Sequence, residues 1–481
     1  MTARAWFEVD RAGLAKIAAR RNKNFILREL VQNSWDEAST FVQVEVYPPV
    51  NGSGFSTIRV TDDSPDGFKD ISHAYTLFAP SAKVTDATKR GRFNFGEKLV
   101  LALCNTARIE TTTGTILFDK GEKRRRSPKK REAGSMFEGT LKLNAEERTL
   151  LVKAARQMIA PDGKTTVVNG SALAPRQPVV SVDHCLSTEI AKEDGTLQST
   201  YRTTTLRVYE PVNGEKAALY EMGIPVVETG DRYHVDVGQK VPLNMERDNV
   251  NPAYLRDVRV AVANATAHLL TVEDANTGWA RDALGDYQIT ADAAKRLTEL
   301  RFGDKAVIYD PSDQEANSLA TAKGYTVVTG SQLSGSEWEQ IKKHSTMLPA
   351  GQVTPSPKPF HPDGRALRLA DEITPQMARF IQYAIDVALA LTDKDLTVVI
   401  ADDSGWNCEG AIGNGVLYVN AEKVGGEWFD AIGSVDQNEF LIHELGHTVE
   451  GNHLSDRYHE ALCKIGAKLV ELRGQRPEIF Q

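Results

Sequence analysis

In the stretch FILRELVQNSWDEAST, the residues Leu27, Leu30, Val31, Ser34, Trp35 and Ala38 recur at helical spacing, which predicts one helix over 25–40. Glu29, Asn33 and Asp36 follow at i, i+4 and i+7 and share a different stripe of it. Upstream, AWFEV reads as a short strand, and Asp10 is placed to cap the helix RAGLAKIAARR. FVQVEVY alternates with period two, Asn51-Gly52 marks a turn, and STIRVTDD gives a second strand ending on Asp62 and Asp63. An apolar helix is expected from about Glu97, after Gly91 and Gly96, and MFEGTLKL is expected to place Gly139-Thr140 at a strand start.

Beyond residue 150 the pattern changes. LLVKAARQMIA reads as a helix, short strands and turns run from about Lys164 to Val250, and AYLRDVRVAVANATAHLL reads as a helix. KAVIYDPSDQEANSLATAKGYTVVTG reads strand, helix, strand, and LPAGQVTPSPKPFHPDG has the proline and glycine content of a linker. The amphipathic helix ITPQMARFIQYAIDVALALT, the strands DLTVVIADD and GAIGNGVLYVN, and the helical NEFLIHELGH close the chain. The fold class expected is α+β multidomain, divided as 1–150, 151–275, 276–348, a linker at 349–364, and 365–481.

Composition adds limits. The chain has 481 residues, 41 % apolar and 25 % charged, values ordinary for a globular protein with several cores. A net charge of −8 provides no global field for nucleic acid. The eight basic residues Lys120, Lys123, Arg124, Arg125, Arg126, Lys129, Lys130 and Arg131 form a local patch, read as a mobile loop or hairpin tip able to meet phosphates. Cys104, Cys185, Cys408 and Cys463 lie far apart with no Cys-x-x-Cys pair. Reduced, mostly buried thiols in a cytoplasmic compartment are expected. No apolar run is long enough to span a bilayer, so no membrane partner is expected.

Candidate chemistry falls in two places. A carboxylate, an amide and a second carboxylate on one helix face suit a magnesium-nucleotide site. Asp62, at a strand end with Gly67 soon after, is placed to accept from a ligand amine. Gly91 and Gly96, before a helix, let backbone N–H groups approach phosphate.

The order ELVQNSWDEA, DDSPDG, GRFNFGEK, EGT resembles the GHKL ATPases (gyrase, the large heat-shock chaperone, histidine kinases, mismatch-repair ATPases and MORC proteins) over about residues 5–145. The resemblance implies a Bergerat-type α/β sandwich that binds ATP and Mg²⁺, and a homodimer. It implies Glu29 as general base, Asn33 as magnesium ligand and Asp36 as support through the water shell. Asp62 would accept from the adenine amino group with Thr140 near the adenine edge, and Gly91, Gly96 and Lys98 would belong to a lid over the phosphates. Two departures stand out: the usual Asp-x-Gly-x-Gly becomes Asp62-Asp63-Ser64-Pro65-Asp66-Gly67, and Asn94 sits where glycine is common. The segment after 150 is similar to the family's transducer domain. There Lys240, after Gln239, is either the lysine that returns to the γ-phosphate or a surface lysine at a strand end.

Near the C-terminus, His443 and His447 lie four apart on one predicted helix face with Glu444 between them. Neutral imidazoles at that spacing hold Zn²⁺, with the glutamate beside the water. The helix and the strand before it resemble a zincin metallopeptidase core, which implies a protein or peptide substrate. The third ligand is open among His453, His459 and Glu460; His453 is similar to the metzincin spacing but with glycine at 451 rather than 450. Tyr458 is a candidate for oxyanion stabilisation. The strand at 415–420 is a candidate for pairing with an extended peptide.

Overall fold

A computed structural model describes residues 10–481 apart from 51, 69, 80–82, 84, 93, 121–122, 192–195, 213, 245–248, 312, 355–366, 414, 452 and 454. The expected strand AWFEV and most of the expected linker lie outside the described residues. The chain is mixed α and β, with several sheets in two compact units. The first is residues 1–269 with 277–283, and the second is 270–276 with 284–481.

In the first unit α1 (Arg11–Ala19) starts where the Asp10 carboxylate accepts from the Ala12 and Gly13 amides. Helix α2 (Phe25–Trp35) stops short of the expected residue 40. The Ser39 hydroxyl takes the Ser34 carbonyl at 2.6 Å, and the Asp36 carboxylate turns away to Arg90 and Gly91, so the chain leaves the helix there. An eight-stranded sheet has the order β5-β4-β3-β6-β2-β1-β7-β8. Its strands are β1 (Phe41–Tyr47), β2 (Ser56–Asp62), β3 (Thr106–Thr111), β4 (Gly114–Phe118), β5 (Arg124–Ser127), β6 (Met136–Leu141), β7 (Thr165–Val168) and β8 (Ser171–Ala172). Only the β1–β7 pairing is parallel. The sheet thus takes in strands beyond residue 150. The alternation in β1 puts Val42, Val44 and Val46 inside, where Ile58 and Val60 of β2 meet Ile26, Leu27, Leu30 and Trp35 of α2. Each such side chain is worth about 1.5–3 kcal/mol of burial. Two further helices pack here, α3 (Gly96–Leu103) and α4 (Ala145–Arg156), the latter held by an Asn144/Glu147 capping box.

Two sequence expectations are decided in this sheet. Within the basic run Arg124–Ser127 form strand β5, paired antiparallel with β4 at the sheet edge, so of the two expected forms the hairpin is the one found there. The alternating backbone pairing of a hairpin outweighs the lack of apolar residues, and Arg124 lies 3.8 Å over the Tyr75 ring. Gly139-Thr140 sits near the end of β6, not at its start. A Cβ on Gly139 would approach Cys104 Sγ to 2.7 Å, so the glycine serves helix–sheet packing.

A second sheet in this unit has the order β12-β11-β13-β10-β9, from β9 (Val180–Ala191), β10 (Leu197–Tyr209), β11 (Ala218–Glu221), β12 (Ile224–Glu228) and β13 (His234–Val237). Helix α5 (Pro252–Thr266) packs on β9. Helix α6 (Val272–Ala275) belongs to the second unit, and nearly all of α7 (Gly278–Leu284) to the first.

The second unit contains α8 (Ala291–Phe302), the parallel pair β14 (Ala306–Ile308) and β15 (Thr326–Val328) joined through α9 (Gln314–Ala322), then α10 (Gly335–His344) and α11 (Ala350–Val353). It continues with α12 (Pro375–Thr392), β16 (Thr397–Ala401), β17 (Gly410–Gly413), β18 (Val416–Asn420), α13 (Ala421–Val424), α14 (Val435–Gly446) and α15 (Asp456–Gln475). Pro375 opens α12 behind a Thr374 cap, and Phe380, Ala384 and Val387 face Ile400, Leu417 and Leu441 in one core. The sheet order is β16-β18-β17. Strand β18 is therefore paired on both sides, and the edge beside α14 is β17 rather than the 415–420 strand.

Among the described residues no helix is long and apolar enough to cross a membrane. Cys104 is buried, and burial pushes its thiol up to about 12. Contrary to expectation Cys185, Cys408 and Cys463 are exposed, and none of the four is in a disulfide.

Candidate metal centre and nucleotide pocket

Helix α14 carries FLIHELG. Ser434 caps its start by accepting from the Gln437 amide, and the helix ends at Gly446 with His447 as its C-cap. The i, i+4 spacing leaves His443 and His447 on one face. The loop back to α15 brings in His453, so one nitrogen from each of the three imidazoles lies within 4.8 Å of the others. The Nε2 atoms of His443 and His453 are 3.4 Å apart. Two nitrogens bound about 2.0–2.1 Å from a tetrahedral ion stand roughly 3.3–3.4 Å from each other, so the donor set fits a zinc-sized ion. The cluster could hold a metal ion. His459 and Glu460 are exposed on α15 and are not among the grouped donors.

Tyr458 supports the cluster from below. Ser455 caps α15 through the Tyr458 amide, which fixes this residue in the first turn. Its ring is 2 % exposed, with centroids 5.1 Å from His447 and 4.9 Å from His453. Its hydroxyl donates to the His443 carbonyl at 3.2 Å and meets His443 Nδ1 at 3.2 Å. With its one proton on the carbonyl, the hydroxyl accepts from Nδ1–H, which leaves the Nε2 lone pair toward His453. The hydroxyl is thus taken up by a histidine, which removes it from the oxyanion role considered from sequence. Burial, then the Glu444 charge, pushes the phenol up to about 12. Gly446 permits this approach: a Cβ there would fall 2.7 Å from Leu462 and 3.0 Å from the Tyr458 ring. Glu444 is buried within the same turn.

In the first unit a cavity of about 470 Å³ is lined by Asn33, Asp36, Asp62, Gly67 and Gly91 together with Lys83, Lys89, Arg92, Asn94 and Glu97. Asp62 Oδ1 accepts from the Ser64 and Ser135 amides at 3.0 and 3.2 Å, and Oδ2 accepts from the Ser34 hydroxyl at 3.1 Å. Burial raises its pKa against these bonds. Two glycines shape the wall. Gly67 has φ +56° and no room for a Cβ beside Thr111, and Gly134 has φ +74° with the Asp62 carbonyl 1.8 Å from where a Cβ would stand.

Several sequence-predicted residues sit differently. Asp36 is 2 % exposed and holds the loop after residue 86: it accepts from the Arg90 amide at 3.0 Å, the Arg90 guanidinium at 3.0 Å and the Gly91 amide at 2.8 Å. Three donors already tie this carboxylate to the loop, while the residue also lines the cavity. Glu29 does not line this cavity. It accepts from Gln32, and a Cβ on Gly96 would overlap its Oε2, so the start of α3 screens it; it lines a separate cavity on the other side of α2. Thr140 does not line the cavity either, because its hydroxyl pairs with Thr106 at 2.7 Å; Ser135, Met136 and Phe137 take that wall. Lys98 is buried, donates to Asn94 Oδ1 at 2.7 Å and lies 3.5 Å from Glu97. Lys240 is 1 % exposed rather than a surface lysine. Its Nζ donates to the Lys83 carbonyl at 2.6 Å, and its amide to the Ala87 carbonyl at 2.9 Å. Burial, then Arg92, lowers its pKa to about 8.

Sequence reasoning missed Glu97, a carboxyl deep in the cavity whose pKa burial raises. It also missed Arg90 and Arg92. Arg90 joins Asp36 to the Met222 carbonyl, and Arg92 joins Glu221 and the Val241 carbonyl, so the loop is tied to the second sheet. Their signal, an Arg-Gly-Arg before an apolar helix, was visible but reads equally as a solvated loop.

No family model and no curated protein matches the chain. Among solved structures it is similar to one titled as the crystal structure of the N-terminal domain of a DNA repair protein, with 13 % identity and a TM-score of 0.34 over 52 % of this chain and 93 % of that one.

Proposed function

We propose that the chain is a zinc-dependent peptidase regulated by ATP, with the nucleotide bound in the first unit and driving closure of a homodimer. The observation that carries the peptidase reading is the convergence of His443, His447 and His453 with Glu444 on the same helix turn. These three imidazoles would hold zinc, which when bound supplies Lewis-acid polarisation of a scissile carbonyl. Glu444 takes a proton from the attacking water on its carboxylate and delivers it to the leaving amine. Tyr458 keeps His443 in the tautomer that offers Nε2. An extended peptide adds to the β17 edge, next to α14.

In the first unit the GHKL-like residues are read as follows. Asn33 ligates magnesium, Asp62 accepts from the adenine amine, and Gly91, Asn94 and Lys98 surround the phosphates with Lys83 and Lys89. Glu29 becomes the general base once the α3 start moves off it. The reading places the chain in a reducing, cytoplasmic setting, where thiols stay reduced.

Incubation of the full chain with Zn²⁺, ATP and a panel of denatured proteins tests the reading. Cleavage by wild type and none by Glu444→Gln is expected. Equal cleavage by the two removes the peptidase, and cleavage indifferent to ATP and to Asp62→Asn removes the regulation.

A second reading is an ATP-gated clamp on nucleic acid with a structural zinc domain. It is favoured by the exposed arginines of edge strand β5. DNA retention that falls steeply with salt and is lost on neutralising Arg124, Arg125 and Arg126 supports it; no retention at low salt removes it.

A further inference from the structure

The cavity on the far side of α2 has a volume of about 590 Å³, within the range of small-molecule sites. One wall is apolar, formed by Phe25 and by Ile224, Pro225 and Val227 of β12. The other is cationic. Arg28 lines it: its Nε is closed off from solvent without a hydrogen-bond partner, and no described carboxylate forms an ion pair with it. Burial lowers its pKa, with Tyr220 and Glu228 opposing only through charge. Arg28 is partly exposed and only its Nε is closed off, so the outer guanidinium nitrogens stay open to a ligand, and a bound anion supplies the counter-charge that the fold does not. Arg20, Arg21 and Lys216 also face the cavity, Arg21 stacked at 4.6 Å on Phe25, and Lys216 held 3.0 Å from Glu228. With Glu29 and Glu228 as the facing carboxylates, two positive charges are left over.

We propose that this cavity is a second ligand site, which takes a phosphomonoester with a small apolar body on the Arg28 guanidinium. A phosphomonoester carries about −1.5 to −2 charges at neutral pH and matches the surplus, and the guanidinium fork matches its oxygens. The apolar wall accepts the rest of the molecule. Glu29 lines the same cavity, so occupancy is felt on α2. The proposal stands independently of the ATP and zinc readings.

The test is calorimetric titration of the full chain with phenyl phosphate, beside neutral phenol, for wild type, Arg28→Met, Arg28→Lys and Asp62→Asn. Saturable binding of phenyl phosphate but not phenol is expected in wild type. Arg28→Met should weaken it about tenfold or more, and Arg28→Lys, which keeps the charge and loses the fork, should weaken it less. In the absence of ligand Arg28→Met should melt no lower than wild type, because Arg28 has no ion pair to lose. No binding to wild type, or equal binding by Arg28→Met and wild type, overturns the site. Loss in Asp62→Asn with retention in Arg28→Met places the anion in the nucleotide cavity instead and also overturns it.

Discussion

Tyr458→Phe removes one oxygen and leaves a ring that is otherwise buried in place. That oxygen makes two contacts with His443, one to the carbonyl and one to Nδ1, both at 3.2 Å. Each neutral hydrogen bond of this length is worth about 0.5–1.5 kcal/mol, and the Nδ1–H left without an acceptor costs about 1–3 kcal/mol. Part of that loss falls on the fold whether or not metal is present. The remainder falls on the metal-competent state, because the imidazole becomes free to rotate or to move its proton to Nε2. Loss of such a supporting partner weakens metal binding about 10–100-fold, or roughly 1.4–2.7 kcal/mol. Competition of the full chain against a chromophoric zinc chelator measures this directly, with melting of the metal-free protein as the parallel readout. Zinc affinity lower by that factor is expected, together with a melting temperature reduced by a few degrees at most. Unchanged zinc affinity in the folded variant would refute the tautomer argument, whatever happens to the melting temperature.

Three further outcomes follow from other parts of the molecule. Asp236 is buried, and burial raises its pKa to about 6 from 3.8, so the folded chain binds its proton more tightly than the unfolded one. Its contribution is therefore present below about pH 4 and lost as pH rises through about 6, on the order of 3 kcal/mol in all. Asp236→Asn, which still accepts from the Gly223 amide, should flatten the urea-midpoint profile between pH 4.5 and 7.5 and raise the midpoint at pH 7.5; an unchanged profile contradicts the assignment. Gly96→Ala would place a Cβ on the Glu29 carboxylate, where there is no space. It should cost about 1–3 kcal/mol in stability and depress ATP turnover, read by a coupled phosphate assay; full stability and turnover would show that the two helices do not meet as described. Lys240→Met keeps the buried stem but loses the bond to the Lys83 carbonyl. Limited proteolysis should then cut faster beside Lys83 and Ala87 than in wild type, and an equal rate would deny Lys240 a part in holding those residues.

How much was legible in the sequence depended on the kind of signal. Helix α2, strands β1 and β2 and helices α12 and α14 follow from apolar periods and caps that local chemistry enforces, so they stand where expected to within a few residues. The end of α2 does not, because Asp36 leaves the helix for partners 54 and 55 positions away, and no local pattern encodes that. His443 and His447 are set by helix geometry alone. His453 lies beyond the end of α14, where helix geometry does not set its position, and its spacing left His459 and Glu460 open. Strand β5 was hidden because pairing, not propensity, makes it a strand, and the edge role of β17 needed the sheet order. Glu97 and Arg28 were invisible for one reason: a charged residue in a mostly apolar or polar helix reads as solvated until its burial is known.

The most direct measurement is anomalous diffraction at the zinc edge from crystals of the full chain soaked in zinc. One peak per chain, about 2.0–2.1 Å from a nitrogen of each of His443, His447 and His453 and absent in His453→Ala, is the predicted result. No peak at this cluster in wild type, or a peak that survives unchanged in His453→Ala, would contradict the account.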